Sequence, residues 1–218
     1  MRALSCFLPS HLRLLYSLTL IDHFQTFGIP RTLTALPAVL ERRFHELQRS
    51  YHPDKHVTAE EAAKSDALDR SSSINQAYRV LRDPHQRMKH LLSIHGQSVD
   101  SQKQVPQNLL MAVMEVQEKL AELEHSKDAR TVAKVNRDLA PYADQFEEMS
   151  ELVDTKLETL AIQWDKGNGP HSEPGKLEKE DVVRLEAMTK LLAERAYLHT
   201  LRLSIGAAQR GEPAMIRH

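Results

Sequence analysis

The 218-residue chain has a single cysteine, Cys6, so it can form neither an internal disulfide nor a cysteine-built zinc clamp, which suits a reducing compartment. Glycine is scarce, at 7 residues, and nothing resembles a loop that could cradle a nucleotide phosphate. Aromatic residues make up only 5% of the chain, and no series of short alternating strands can be read in it. These absences leave an all-α protein. An excess of one charge is missing too, since 29 Lys and Arg face 30 Asp and Glu. No bulk field therefore draws nucleic acid or an anionic membrane, and an electrostatic partner must be met by a local patch. Neither nucleic acid nor a membrane is expected as a partner. The apolar run LLYSLTLI is far too short to span a bilayer. The length supports two domains, each burying its own core.

Acidic residues are absent from residues 1–21, MRALSCFLPSHLRLLYSLTLI, which carry Arg2 and Arg13 and are rich in Leu and Ser. This is the composition of a mitochondrial presequence, and it predicts import into the mitochondrial matrix with loss of the segment. A secretory signal would need a small-x-small cleavage site, and none follows the apolar run.

What is present begins with an amphipathic helix. Leu40, Phe44, Leu47 and Tyr51 recur at helical spacing and at about 100° per residue fall on one stripe, the expected core face. Arg42, His45 and Arg49 fall opposite, so the exposed side is locally basic, and Pro37 fits the first turn, where its missing N–H is harmless. The helix breaks at RSYHPDKH, 49–56. After a polar, alanine-rich stretch, Ile74, Ala77, Tyr78 and Leu81 form a second stripe, predicting a second helix antiparallel to the first. Asp83-Pro84 then supplies a cap and first-turn proline for a short helix with Met88, Leu91 and Leu92 inward and Gly96 as its stop.

Two antiparallel helices joined by a loop bearing His-Pro-Asp, with DHFQTFGIP in front and NQAYRVLRDP in the second helix, resemble the J-domain of DnaK-type co-chaperones over residues 22–96. The resemblance implies docking on the ATP-bound form of a DnaK-type chaperone and acceleration of its ATP hydrolysis. His52, Pro53, Asp54 and Lys55 would carry that role, with Arg42, Arg43 and Arg49 meeting an acidic surface of the chaperone. Proline holds a loop in one shape, and an aspartate can make a charge-assisted bond to an arginine. The chemistry would belong to the chaperone, so the chain itself is not expected to be an enzyme. A metal site is not expected either: His52, Asp54 and His56 are ligand types, but the loop lacks a helical i, i+4 pair and the other histidines are scattered.

Residues 97–105 read as a linker, and Pro106 as the start of the next helix. Leu109, Val113, Val116, Leu120 and Leu123 form a four-three-four-three seam, the pattern of a helical bundle. Leu110, Met111 and Met114 project to the other side, beside Glu115, Glu118 and Glu122. A helix with two apolar faces has two partners. Downstream, a long helical pattern should be kinked or split at Pro141, DKGNGPHSEPGK reads as a flexible loop, and a last helix carries Val182, Leu185, Met188, Leu192 and Tyr197 and should stop at Gly206. A three-helix bundle over 106–208 follows.

A J-domain ending in RMKHLLSIHG and followed by LLMAVMEVQEKLAE is similar to the HscB-type co-chaperones of iron-sulfur cluster biogenesis. That resemblance implies that the bundle binds an IscU-type scaffold through Leu110, Met111, Met114, Glu115, Glu118 and Glu122, with no cofactor of its own. Two features depart from the family. Its aromatic contact in the final helix is replaced near Ala187, and the tetracysteine extension of animal members is missing. The competing readings are a general J-protein that delivers unfolded clients and, from another class, a hydrolase using the histidine-rich loop.

Overall fold

A computed structural model describes residues 21–34, 37–51, 61–99, 109–125 and 128–212, with backbone alone for 61–64 and 124. His52, Pro53, Asp54 and Lys55, residues 1–20 of the presequence-like segment, and the expected helix start at Pro106 lie outside the described residues. The helices are α1 His23–Phe27, α2 Pro37–Tyr51, α3 Glu61–Arg82, α4 Pro84–Ile94, α5 Leu110–His125, α6 Ala129–Lys166 and α7 Lys179–Gln209. A 3-10 turn spans Gly169–His171, and no strand occurs among the described residues. The chain divides into two compact units, Met1–Ser98 with Leu160–Glu186, and Val99–Thr159 with Ala187–His218. This differs from the sequence division into 22–96 and 106–208 in one respect: the end of α6 and the start of α7 belong with the first unit.

Local signals explain how the first unit is cut into helices. The Asp22 carboxylate accepts from the N–H groups of Phe24 at 2.9 Å and Gln25 at 3.3 Å and so caps α1, whose end is turned by Gly28 at φ 61°. Asp83 accepts from Gln86 N–H at 2.8 Å to cap α4, with Pro84 in its first turn, and Gly96 leaves it at φ 73°. The α2–α3 pair is antiparallel: Phe44 stacks on Tyr78 at 4.1 Å, Gln48 donates to Asn75 at 2.7 Å, and Arg70 lies 5.3 Å over the Tyr51 ring. Behind it Phe24, Leu40, Ile74, Ala77, Leu81, Leu91 and Leu92 are buried.

The segment DKGNGPHSEPGK is no flexible loop throughout. Gly169 and Pro170 are buried, and they close on Trp164, the chain's one tryptophan, which is fully buried. A Cβ on Gly169 would lie 2.5 Å from the indole, so the ring can seat itself only against a glycine. From this corner Trp164 Nε1–H donates to Arg31 C=O at 2.8 Å. The Asp165 carboxylate accepts from the N–H groups of Leu33 and Thr34, both at 2.7 Å, and from the Thr34 hydroxyl. Arg31 answers by donating to Ser172 C=O at 2.6 Å and pairing with Asp22 at 2.8 Å. Arg87, buried in α4, donates to Leu33 C=O at 2.5 Å and Leu81 C=O at 2.6 Å, which satisfies carbonyls that no helix provides for.

The second unit is the expected three-helix bundle, made of α5, α6 up to Thr159 and α7 from Ala187. Its core holds Leu109, Val113, Val116 and Leu120 from α5, Val135, Leu139, Phe146, Val153 and Leu157 from α6, and Met188, Leu192, Leu198, Leu201 and Ile205 from α7. Arg195 pairs with Asp154 at 2.6 Å and Arg202 with Glu147, a progression that sets α6 and α7 antiparallel. Three expectations need correction. Of the kink or split expected at Pro141, the split does not occur: α6 runs on, because that residue faces solvent, where water can serve the carbonyl left without its donor. α7 runs past Gly206 to Gln209, held by buried Ile205 and Ala207 on either side. Val182, 37% exposed, and half-buried Tyr197 are not core.

Candidate functional site

On α2 only Leu40 of the sequence stripe is fully buried, while Phe44, Leu47 and Tyr51 are half-buried along α3. Arg42, Arg43, His45 and Arg49 are all exposed. They are not one patch. Arg42 and Arg49 are two turns apart on one side, whereas Arg43 is carried towards α1, where its guanidinium comes within 3.6 Å of the space above Gly28. There it pairs with Glu46 at 2.9 Å, an exposed pair worth about 0–1 kcal/mol. Glu41 and Glu46 interleave the arginines and dilute the field.

On α5 the structure separates the two apolar faces that the spacing predicted. Leu109, Val113, Val116 and Leu120 are at most 5% exposed, whereas Leu110 is 46%, Met111 70% and Met114 59% exposed. Glu115, Glu118 and Glu122 are exposed beside them. These exposures show that α6 does not cover this face. Tyr142 on α6, which the sequence reading passed over, donates its hydroxyl to Glu115. That hydrogen bond to the carboxylate raises the phenol above its ordinary pKa. Lys119, the cation among these acids, is drawn away to Asp138 on α6 at 3.4 Å. Ala187, near which the aromatic implied by the resemblance is replaced, is half-buried on α7.

Buried histidines form a separate group in the first unit. His23 N–H donates to His90 Nε2 at 3.0 Å and the two rings stack at 4.2 Å, so His90 must leave that nitrogen unprotonated. Burial, aided by the neighbouring His23, lowers His90 to about 4, and burial likewise lowers His95 to about 4 and His23 below its usual value. Among the described residues no three His, Cys, Asp or Glu side chains gather as a metal site. No helix among them is long and apolar enough to cross a membrane.

Residues 22–90 match the DnaJ domain family. The chain is also similar in structure to chaperone HscB from Vibrio cholerae, at 21% identity and a TM-score of 0.55, over 88% of this chain and 99% of that one. Human co-chaperone HscB is similar at 19% identity and a TM-score of 0.53, over 86% of this chain and 82% of that one. The DnaJ match runs from α1 into α4, and the HscB likeness extends through the helices of the bundle. Residues 22–90 are thus a J-domain, in a chain with the fold of the HscB co-chaperones.

Proposed function

We propose that this chain is a co-chaperone that carries an IscU-type iron-sulfur scaffold to a DnaK-type chaperone and stimulates that chaperone's ATPase. The observation that carries the reading is the exposed Leu110, Met111 and Met114 face, bordered by acids, on the bundle of a protein that also holds a J-domain. Methionine suits a surface that packs against a partner, because it is flexible and polarisable. An exposed apolar patch rimmed by polar groups is otherwise a solubility liability. His52, Pro53 and Asp54 act on the chaperone, with Lys55, Arg42, Arg43 and Arg49 steering the encounter more than adding affinity. Hydrolysis itself stays with the chaperone. Delivery takes place in the mitochondrial matrix after loss of residues 1 to about 21, which N-terminal sequencing of matrix protein tests directly.

The deciding experiment combines calorimetric titration of the chain with a purified IscU-type scaffold and a DnaK-type ATPase assay. A Leu110, Met111, Met114→Ala variant should lose several kcal/mol of scaffold affinity, in the range of about 2–4 kcal/mol known for interface hot spots, and keep its melting temperature. His52→Gln should abolish ATPase stimulation and leave scaffold binding intact. A wild-type chain that ignores the scaffold but captures denatured proteins would establish the general J-protein instead.

A further inference from the structure

Two polar contacts join α5 to α6 beside the exposed face. Glu115 accepts from the Tyr142 hydroxyl, and one turn on, Lys119 meets Asp138 at 3.4 Å. Residue numbers rise along α5 as they fall along α6, so the two contacts form a ladder that fixes the register of antiparallel helices. With Lys119 committed to Asp138, the border of the apolar face is left to Glu115, Glu118 and Glu122. The occupant that fits such a face presents apolar side chains framed by cations.

Glu115 differs from the other two acids in having a side-chain hydrogen bond that ties it to the neighbouring helix. A free glutamate loses rotamer freedom when a partner fixes it, whereas one already fixed by its own protein has lost that freedom before the encounter. One phenol bond also leaves most of the carboxylate's acceptor positions open. We propose that Tyr142 is a positioning residue for the docking face, holding the Glu115 carboxylate at the α6 edge in the orientation that receives a cation of the partner. The face then spans two helices rather than one. This rests on the reading of the α5 face as a scaffold-docking surface.

The test titrates the full chain with a purified IscU-type scaffold, comparing wild type, Tyr142→Phe, Glu115→Gln and the double variant, with thermal melts of each. Either single change should weaken binding about 3- to 10-fold, the scale of one hydrogen bond, with the melting temperature unchanged. The double variant should bind no more weakly than Glu115→Gln alone, because Tyr142 acts only through Glu115. Wild-type affinity in Tyr142→Phe, effects that multiply, or a melting temperature that falls along with affinity would each overturn the proposal. The Leu110, Met111, Met114→Ala variant separates the two levels. If it loses binding while Tyr142→Phe does not, the positioning role alone falls. If it binds as wild type does, the docking-face reading falls and the positioning role with it.

Discussion

His95 shows how much a single residue's surroundings decide. Both ring nitrogens are buried without a hydrogen-bond partner, and the ring meets Trp164 edge-on at 5.6 Å. Charging it there would leave an ion facing indole instead of water, and burial accordingly lowers its pKa to about 4. His90 is lowered to about 4 as well, with His23 stacked on it. The linkage follows in sign. Above the unfolded value of about 6.5 neither state carries these protons. As pH falls from there towards about 4 the unfolded chain takes them up and the folded chain does not, so stability is lost across that window and levels off below it. Replacing His95 with Phe keeps an aromatic ring against Trp164 and removes one titrating group. Urea unfolding across the window should give a shallower loss of stability for His95→Phe, by up to about one proton's worth of slope. Parallel profiles for the two proteins would mean that His95 is charged as easily folded as unfolded.

α6 carries a proline in its interior and still runs unbroken for 38 residues. The apolar positions explain why: Val135, Leu139, Phe146, Val153 and Leu157 keep one phase on both sides of Pro141 and all are buried. Burial along that continuous stripe outweighs the hydrogen bond lost at one exposed turn, since a missing bond and ring clash cost about 3 kcal/mol and each buried Val, Leu or Phe contributes about 1.5–3 kcal/mol. Pro141→Ala restores the missing donor and should raise stability by about 1–3 kcal/mol. Thermal melting checks it, and an unchanged or lower midpoint would show that the bundle is built to accommodate the proline. The same element shows what the sequence made legible. The stripe of α3, the Asp83-Pro84 start of α4 and the two faces of α5 are periodic or capping signals within one helix and are found where spacing placed them, although Leu123 at the end of the α5 seam is half-buried and on α2 only Leu40 is fully buried. The unbroken phase across Pro141 is legible in the sequence too, and it outweighs the local rule for proline. Other features could not be read locally. Asp165 meets Leu33 and Thr34 across 131 or 132 residues of sequence, and a hydrogen bond to a distant backbone leaves no periodicity behind. Tyr142 is hidden for a similar reason, since its value to Glu115 depends on helix register. A lone tryptophan five residues before a Gly-Pro pair was the one cue to the corner at Gly169.

At the scale of the whole molecule, the DnaJ match ends at residue 90 while the first unit takes in Leu160–Glu186 as well. The distant segment is more than a lid. Trp164 is fully buried, its indole N–H holds Arg31 C=O, and Asp165 satisfies backbone N–H groups in the loop that leads towards α2. Arg31 and Leu33 therefore depend for their order on residues some 130 positions away. A chain cut after Ser98 exposes the apolar surface that Trp164 covers and returns those N–H groups to water. Losing a buried tryptophan side chain alone costs about 3–5 kcal/mol, a large share of the roughly 5–15 kcal/mol that holds a typical domain folded. Amide hydrogen exchange in α3 and α4 is the measurement to make, because it isolates the first unit whatever the bundle does. Protection there should fall by a factor of about 100 or more in the truncated chain, and by nearly as much in full-length Trp164→Ala. Full protection in the truncated chain would mean that α1 to α4 fold alone and that the Trp164 corner is an attachment to them, not a part of their core.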